Sequence, residues 1–202
     1  MLTDYVLALV TFYFAILLFH VVRRQIQISV WLWTAAFIAT AVAAVVGGTS
    51  HGFALYLGNV AKVAIWKVTV YSIGFASFFM LSGTIIASVP RLLHRWFLAA
   101  AVLKLLAYAL WMTTHNEFRY VIYDYVPAMF GVILLQGYTF LCQNEKSAGW
   151  IITGVLVSLA AAGIQQSGFT LHKHFNHNDL YHVIQMGAMF LLYKGVRLLK
   201  DQ

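Results

Sequence analysis

The sequence predicts an all-α integral membrane protein, a bundle of seven transmembrane helices, and three observations predict it. Of the 202 residues, 62% are hydrophobic and 9% are charged, where a soluble domain carries roughly 25% charged residues. The mean hydropathy is +0.80, built from one long apolar block after another. A helix needs about 20 apolar residues to cross the hydrocarbon layer, so seven crossings joined by short connections use nearly the whole chain. Residues 1–202 therefore form one domain, with no soluble domain left over.

The seven segments run over about 4–22, 29–55, 61–88, 96–114, 119–142, 149–168 and 178–196. The first carries Asp4 at its head and the Arg23-Arg24 pair at its tail, the reverse of a secretory signal, so it is expected to stay as an anchor. The second is rich in small residues from Ala35 to Gly48, and the sixth carries Ala160, Ala161, Ala162 and Gly163. Small side chains let helix backbones approach closely in lipid, which predicts interior positions for both. In the third, fourth and fifth segments Lys67, Lys104 and Asp124 fall at membrane depth. The expected pair is Lys67 with Asp124, while Lys104 snorkels or finds a partner of its own. The single cysteine, Cys142, ends the fifth segment and has no partner for an intrachain disulfide.

The formal charge is +7, but the 13 Lys and Arg residues are scattered singly or in pairs, all but Lys67 and Lys104 at segment ends. No basic stripe forms, so nucleic acid is not an expected partner. Grouping alternate ends gives Arg23, Arg24, Arg91, Arg95, Lys146, Lys194, Arg197 and Lys200 on one side, against Lys62, Arg119 and Lys173 on the other. The positive-inside rule then puts the N-terminus outside and the C-terminus inside, which an odd number of spans permits. Short loops and a brief tail point to a bacterial inner membrane with the outer side facing the periplasm. The oligomeric state is open.

With that topology, His51, His115, His172, His174, His177 and His182 all map to the outer side, as do Ser50, Gln165, Gln166, Asn178, Asp179 and Gln185. Intramembrane polar groups are costly and commonly mark a site or a polar path. The densest stretch is His172 to His182, leading into the seventh segment. Asn176 or Asn178 is placed to cap that helix, with Asp179 in its first turn, where a carboxylate suits the dipole. His115, His172 and His174 read as loop residues.

Three imidazoles with an open fourth position make a catalytic zinc arrangement, and His51, His177 and His182 are the candidate ligands. Zinc lowers the pKa of bound water to about 7 and polarises a carbonyl, which is chemistry for cleaving an amide or ester. Asp179 and Ser50 are the candidate catalytic residues, to accept the water's proton or orient the ligands. Interhelical hydrogen bonding or haem ligation by His51 and His182 are the competing assignments.

A histidine late in the second segment and a His- and aromatic-rich start to the seventh resemble the superfamily of alkaline ceramidases, progestin and adiponectin receptors and hemolysin III-like bacterial proteins. The resemblance covers the whole bundle. His51 matches the histidine of the second helix, and His182, preceded by Tyr181, matches the second histidine of an H-x-x-x-H pair in the seventh. Asn178 stands where the first histidine of that pair falls, with His177 beside it. Gly47 stands where the superfamily has a serine, and the third segment has no aspartate. The resemblance implies a zinc-dependent membrane hydrolase acting on an amide or ester of a lipid or lipid-like substrate. The alternatives are a lipid-binding or sensing protein with a structural metal, and a haem or quinone redox protein.

Overall fold

A computed structural model of the chain describes residues 2–172 and 175–202. Met1, Lys173 and His174 lie outside the described residues, including the two read above as outer-loop groups. Among the described residues, seven α-helices carry the fold: α1 (Leu2–Arg24), α2 (Ile28–Gly52), α3 (Asn59–Ser88), α4 (His94–Thr114), α5 (Phe118–Gln143), α6 (Lys146–Ser167) and α7 (His177–Val196). A single 3-10 turn, Arg91–Leu93, leads into α4. Six of the helices, α1 to α6, are long and apolar enough to cross a membrane. The remaining one, α7, has 20 residues, about 30 Å of helix, but His177, Asn178, Asp179, His182, Gln185 and Lys194 dilute its apolar character.

Local chemistry sets the boundaries. Asn144 ends α5 in the left-handed region at φ 53°, and Gly168 does the same for α6 at φ 69°, a conformation that satisfies late carbonyls and turns the chain. At α7 a full capping box forms: the Asn176 side chain accepts from the Asn178 and Asp179 amides, and Asp179 accepts from the Asn176 amide. The start of α2 has no capping side chain of its own. Asp201, from the far end of the chain, supplies one, accepting from the Ile28 amide at 2.6 Å and the Ser29 amide at 2.9 Å. A carboxylate there also complements the positive end of the helix dipole.

Packing closes α1, α2, α3, α5, α6 and α7 into a ring, each helix against the next and α7 back against α1. The fourth helix lies outside it, mainly against α3. Small residues set the closest approaches. A methyl group on Gly48 would lie 2.6 Å from Asp4 Cβ, so α2 meets α1 at that glycine. One on Gly154 would lie 2.8 Å from Leu192, and one on Gly195 2.8 Å from the Ser147 carbonyl, so α6 and α7 interlock through two glycines. The interior position expected for α2 holds, with Ala36, Ala41, Ala43, Gly47 and Gly48 buried. In α6 the contact residue is Gly154; Ala161 is buried, but Gly163 has nothing within 4 Å of a would-be Cβ.

The pair expected between Lys67 and Asp124 does not form. Asp124 pairs instead with Lys104 at 2.6 Å, and Lys104 also donates to Ser77 at 2.9 Å, tying α4 to both α5 and α3. Lys67 donates to the carbonyls of Met112, Thr113 and His115, the last turn of α4 and its cap. The reason is helical periodicity. Lys67, Tyr71, Gly74 and Ser77 recur at helical spacing on one face of α3, and each touches α4. A lysine on that face meets the negative end of α4, where its charge suits the dipole.

Candidate ligand cavity and its polar mouth

The ring encloses a cavity of about 530 Å³. All six ring helices line it, and α4 contributes nothing to its lining. Its deeper walls are mainly apolar, with Leu7, Ala44, Ile73, Ala76, Val126 and Met129 beside Thr40, Thr69 and Gln185, whereas its mouth carries Asp4, His51, Gln165, Gln166, Asn178 and His182. The starts of α1, α3, α5 and α7 thus share one end with the finishes of α2 and α6. The eight basic residues Arg23, Arg24, Arg91, Arg95, Lys146, Lys194, Arg197 and Lys200 lie at the opposite helix ends.

At the mouth, α1 and α7 are joined by a short polar chain. Thr3 donates its hydroxyl hydrogen to Asp179 Oδ1 at 2.7 Å and lies 3.0 Å from His182 Nδ1. A hydroxyl has one hydrogen, so His182 Nδ1–H is the donor in the second contact. The other ring nitrogen, Nε2, is 3.3 Å from Asp4 Oδ1, with side chains 11% and 10% exposed. That contact requires a proton on one of the two partners. Asp4 was not among the sequence-derived candidates; a carboxylate in the first turn of α1 reads locally as a dipole complement, and only the α1–α7 contact brings it to His182.

The other candidates divide. His51 lines the same cavity and packs edge-to-face with Trp66, with ring centroids 5.9 Å apart. His177 is the first residue of α7, half-buried, and is not a lining residue. Ser50 is half-buried on α2 and also outside the lining. Asp179 uses both carboxylate oxygens, one on Thr3 and one on the Asn176 amide at 3.1 Å. Two of the three zinc candidates, His51 and His182, therefore face one cavity with Asp4, and the third does not. Among the described residues no three His, Cys, Asp or Glu side chains gather to hold an ion. Among the described residues the donor set for a zinc ion is therefore not assembled.

Deeper in the cavity, the Ser158 hydroxyl is buried and makes no hydrogen bond among the described residues. Such a group costs free energy unless something pairs with it. It is the one polar hook in the apolar part of α6 that faces the cavity, and nothing in the local sequence distinguishes it from the other serines of the bundle.

Fold and cavity together define a helical integral membrane protein with a central amphipathic pocket. A family model described as a family of unknown function (DUF6962) matches residues 1–201, and the chain belongs to that family. No curated protein and no solved structure matches it.

Proposed function

We propose that this protein binds one lipid-like molecule inside its helix ring, with the head at the Asp4–His182 mouth and the tail among the apolar walls. The observation that carries this reading is the cavity itself. It is about 530 Å³, within the range of small-molecule sites, apolar at depth and polar at one end. Among the described residues no lysine or arginine lines it, which favours an uncharged, hydrogen-bonding head over a phosphate or carboxylate. Ser158 offers a second polar contact along the tail. The bundle is read as seven spans with α7 crossing as part of the ring. Lysine and arginine at the end opposite the mouth set the N-terminus outside and the C-terminus in the cytoplasm.

Hydrolysis of the bound molecule by zinc is the second reading, and it rests on His51 and His182 sharing the mouth with Asp4. One experiment separates the two. Protein purified in mild detergent is extracted and assayed for bound lipid and for metal, beside Ala162→Trp and His182→Ala. Binding predicts about one copurifying amphiphile per chain, lost in Ala162→Trp because Ala162 lines the cavity. Near one zinc per chain, lost in His182→Ala, with turnover of a lipid amide or ester, replaces the binding reading with the hydrolase. No retained lipid in the wild type overturns the binding reading.

A further inference from the structure

At the end opposite the mouth, a cleft of about 420 Å³ lies between α1 and α7, lined by Leu17, His20, Val21 and Arg24 of α1 and by Tyr193 of α7. The four α1 residues are spaced i, i+3, i+4 and i+7, so they form one stripe of the helix. Arg24 stands at the helix end, and His20 lies about 6 Å deeper at 1.5 Å per residue. Four of the eight lysines and arginines at this end rest on aromatic rings: Arg23 on Phe19, Arg95 on Trp96, Lys194 on Trp150 and Phe190, and Arg197 on Tyr193. Arg24 and His20 differ. Neither makes a hydrogen bond, ion pair or ring contact among the described residues, although both face a cleft floored by apolar side chains.

An unpartnered guanidinium, a second nitrogen donor one turn deeper and a tyrosine hydroxyl, set over Leu17 and Val21, match the chemistry of a phospholipid at the interface. We propose that this cleft holds the head of an anionic phospholipid from the adjoining leaflet. Arg24 takes the phosphate oxygens as a bidentate donor. His20 and Tyr193 each donate one further hydrogen bond, and the first methylenes of an acyl chain run along Leu17 and Val21. Basic pockets between helices on the positively charged side of membrane proteins serve this purpose generally. The proposal is independent of the central cavity, which has no lysine or arginine among its described lining residues.

The test uses the full chain in detergent, titrated with dioleoyl phosphatidylglycerol or dioleoyl phosphatidylcholine and followed by native mass spectrometry. Phosphatidylglycerol should bind about tenfold more tightly, and Arg24→Gln with His20→Gln should bring the ratio to about one. Both side chains are exposed, and retained far-ultraviolet circular dichroism verifies that the double variant is folded. Arg91→Gln with Arg95→Gln, at the same end on another helix, should leave the preference intact, as should Ala162→Trp. Equal binding of the two lipids by the wild type, or a preference that survives in the Arg24/His20 variant, overturns the site. Displacement of phosphatidylglycerol by millimolar glycerol 3-phosphate would place the recognition on soluble phosphate and overturn the lipid assignment.

Discussion

Asp4 in the first turn of α1 and His182 early in α7 face each other at 3.3 Å across the cavity mouth, so the first and last helices meet at its polar rim. Because the contact is nearly buried, its members should act as a unit. Asp4→Ala and His182→Ala should each lower stability, and the double variant should lose less than the sum by about 1 kcal/mol. Unfolding of the detergent-purified proteins measures the cycle; strict additivity would mean that the two side chains are not coupled.

The Lys104–Asp124 pair holds the outlying helix α4 to the ring, with Asp124 almost fully buried. Removing one partner leaves the other charge uncompensated, at a cost of about 3–5 kcal/mol, whereas replacing both by apolar residues is far milder. Asp124→Leu alone should therefore destabilise strongly, and Lys104→Met with Asp124→Leu should recover most of the loss. A double variant as unstable as the single one would show that the pair specifies the position of α4 rather than merely satisfying its own charges.

Glycine positions should separate by what surrounds them. A side chain on Gly195 would meet Ile151 at 2.5 Å and the Ser147 carbonyl, which is backbone and cannot turn aside. Gly195→Ala should cost about 1–3 kcal/mol and loosen α7 from α6. Gly187 and Gly137 have nothing within 4 Å, so alanine there should be neutral or stabilising by about 0.5–1 kcal/mol through helix propensity. Melting temperatures of the three variants, compared in one detergent, check the order.

Ser158 gives a test that distinguishes packing from binding. Its buried hydroxyl has no partner among the described residues, so Ser158→Ala in lipid-stripped protein should be neutral or slightly stabilising. The same change should weaken retention of the cavity ligand. Equal retention by wild type and variant would remove Ser158 from the ligand's contacts.

Helix existence and ends were readable along the chain. The expected segment 178–196 became His177–Val196, and 119–142 became Phe118–Gln143, because apolar run length and capping residues act locally. The cap on α7 was also readable, with Asn176 taking the role for which Asn176 and Asn178 competed. The clustering of His51 and His182 at one end followed from alternation alone. What failed was pairing. Lys67 and Asp124 were equally suited by charge, but the faces of α3 and α5 that meet depend on the rotation of each helix and on α4 standing outside the ring.

By itself, then, the sequence determined the number of helices, their approximate ends, their alternating direction and the accumulation of polar groups at one end, since each depends on residues close together in the chain. The tertiary structure alone decided that Asp4 meets His182, that Lys104 rather than Lys67 neutralises Asp124, that Asp201 caps α2, and that His177 stays off the cavity. These contacts depend on the order of helices around the ring and on which side of each helix faces inward. Apolar segments of similar composition leave both undetermined, because lipid and protein interiors are alike to them; close glycine contacts and a few buried polar pairs choose among the arrangements.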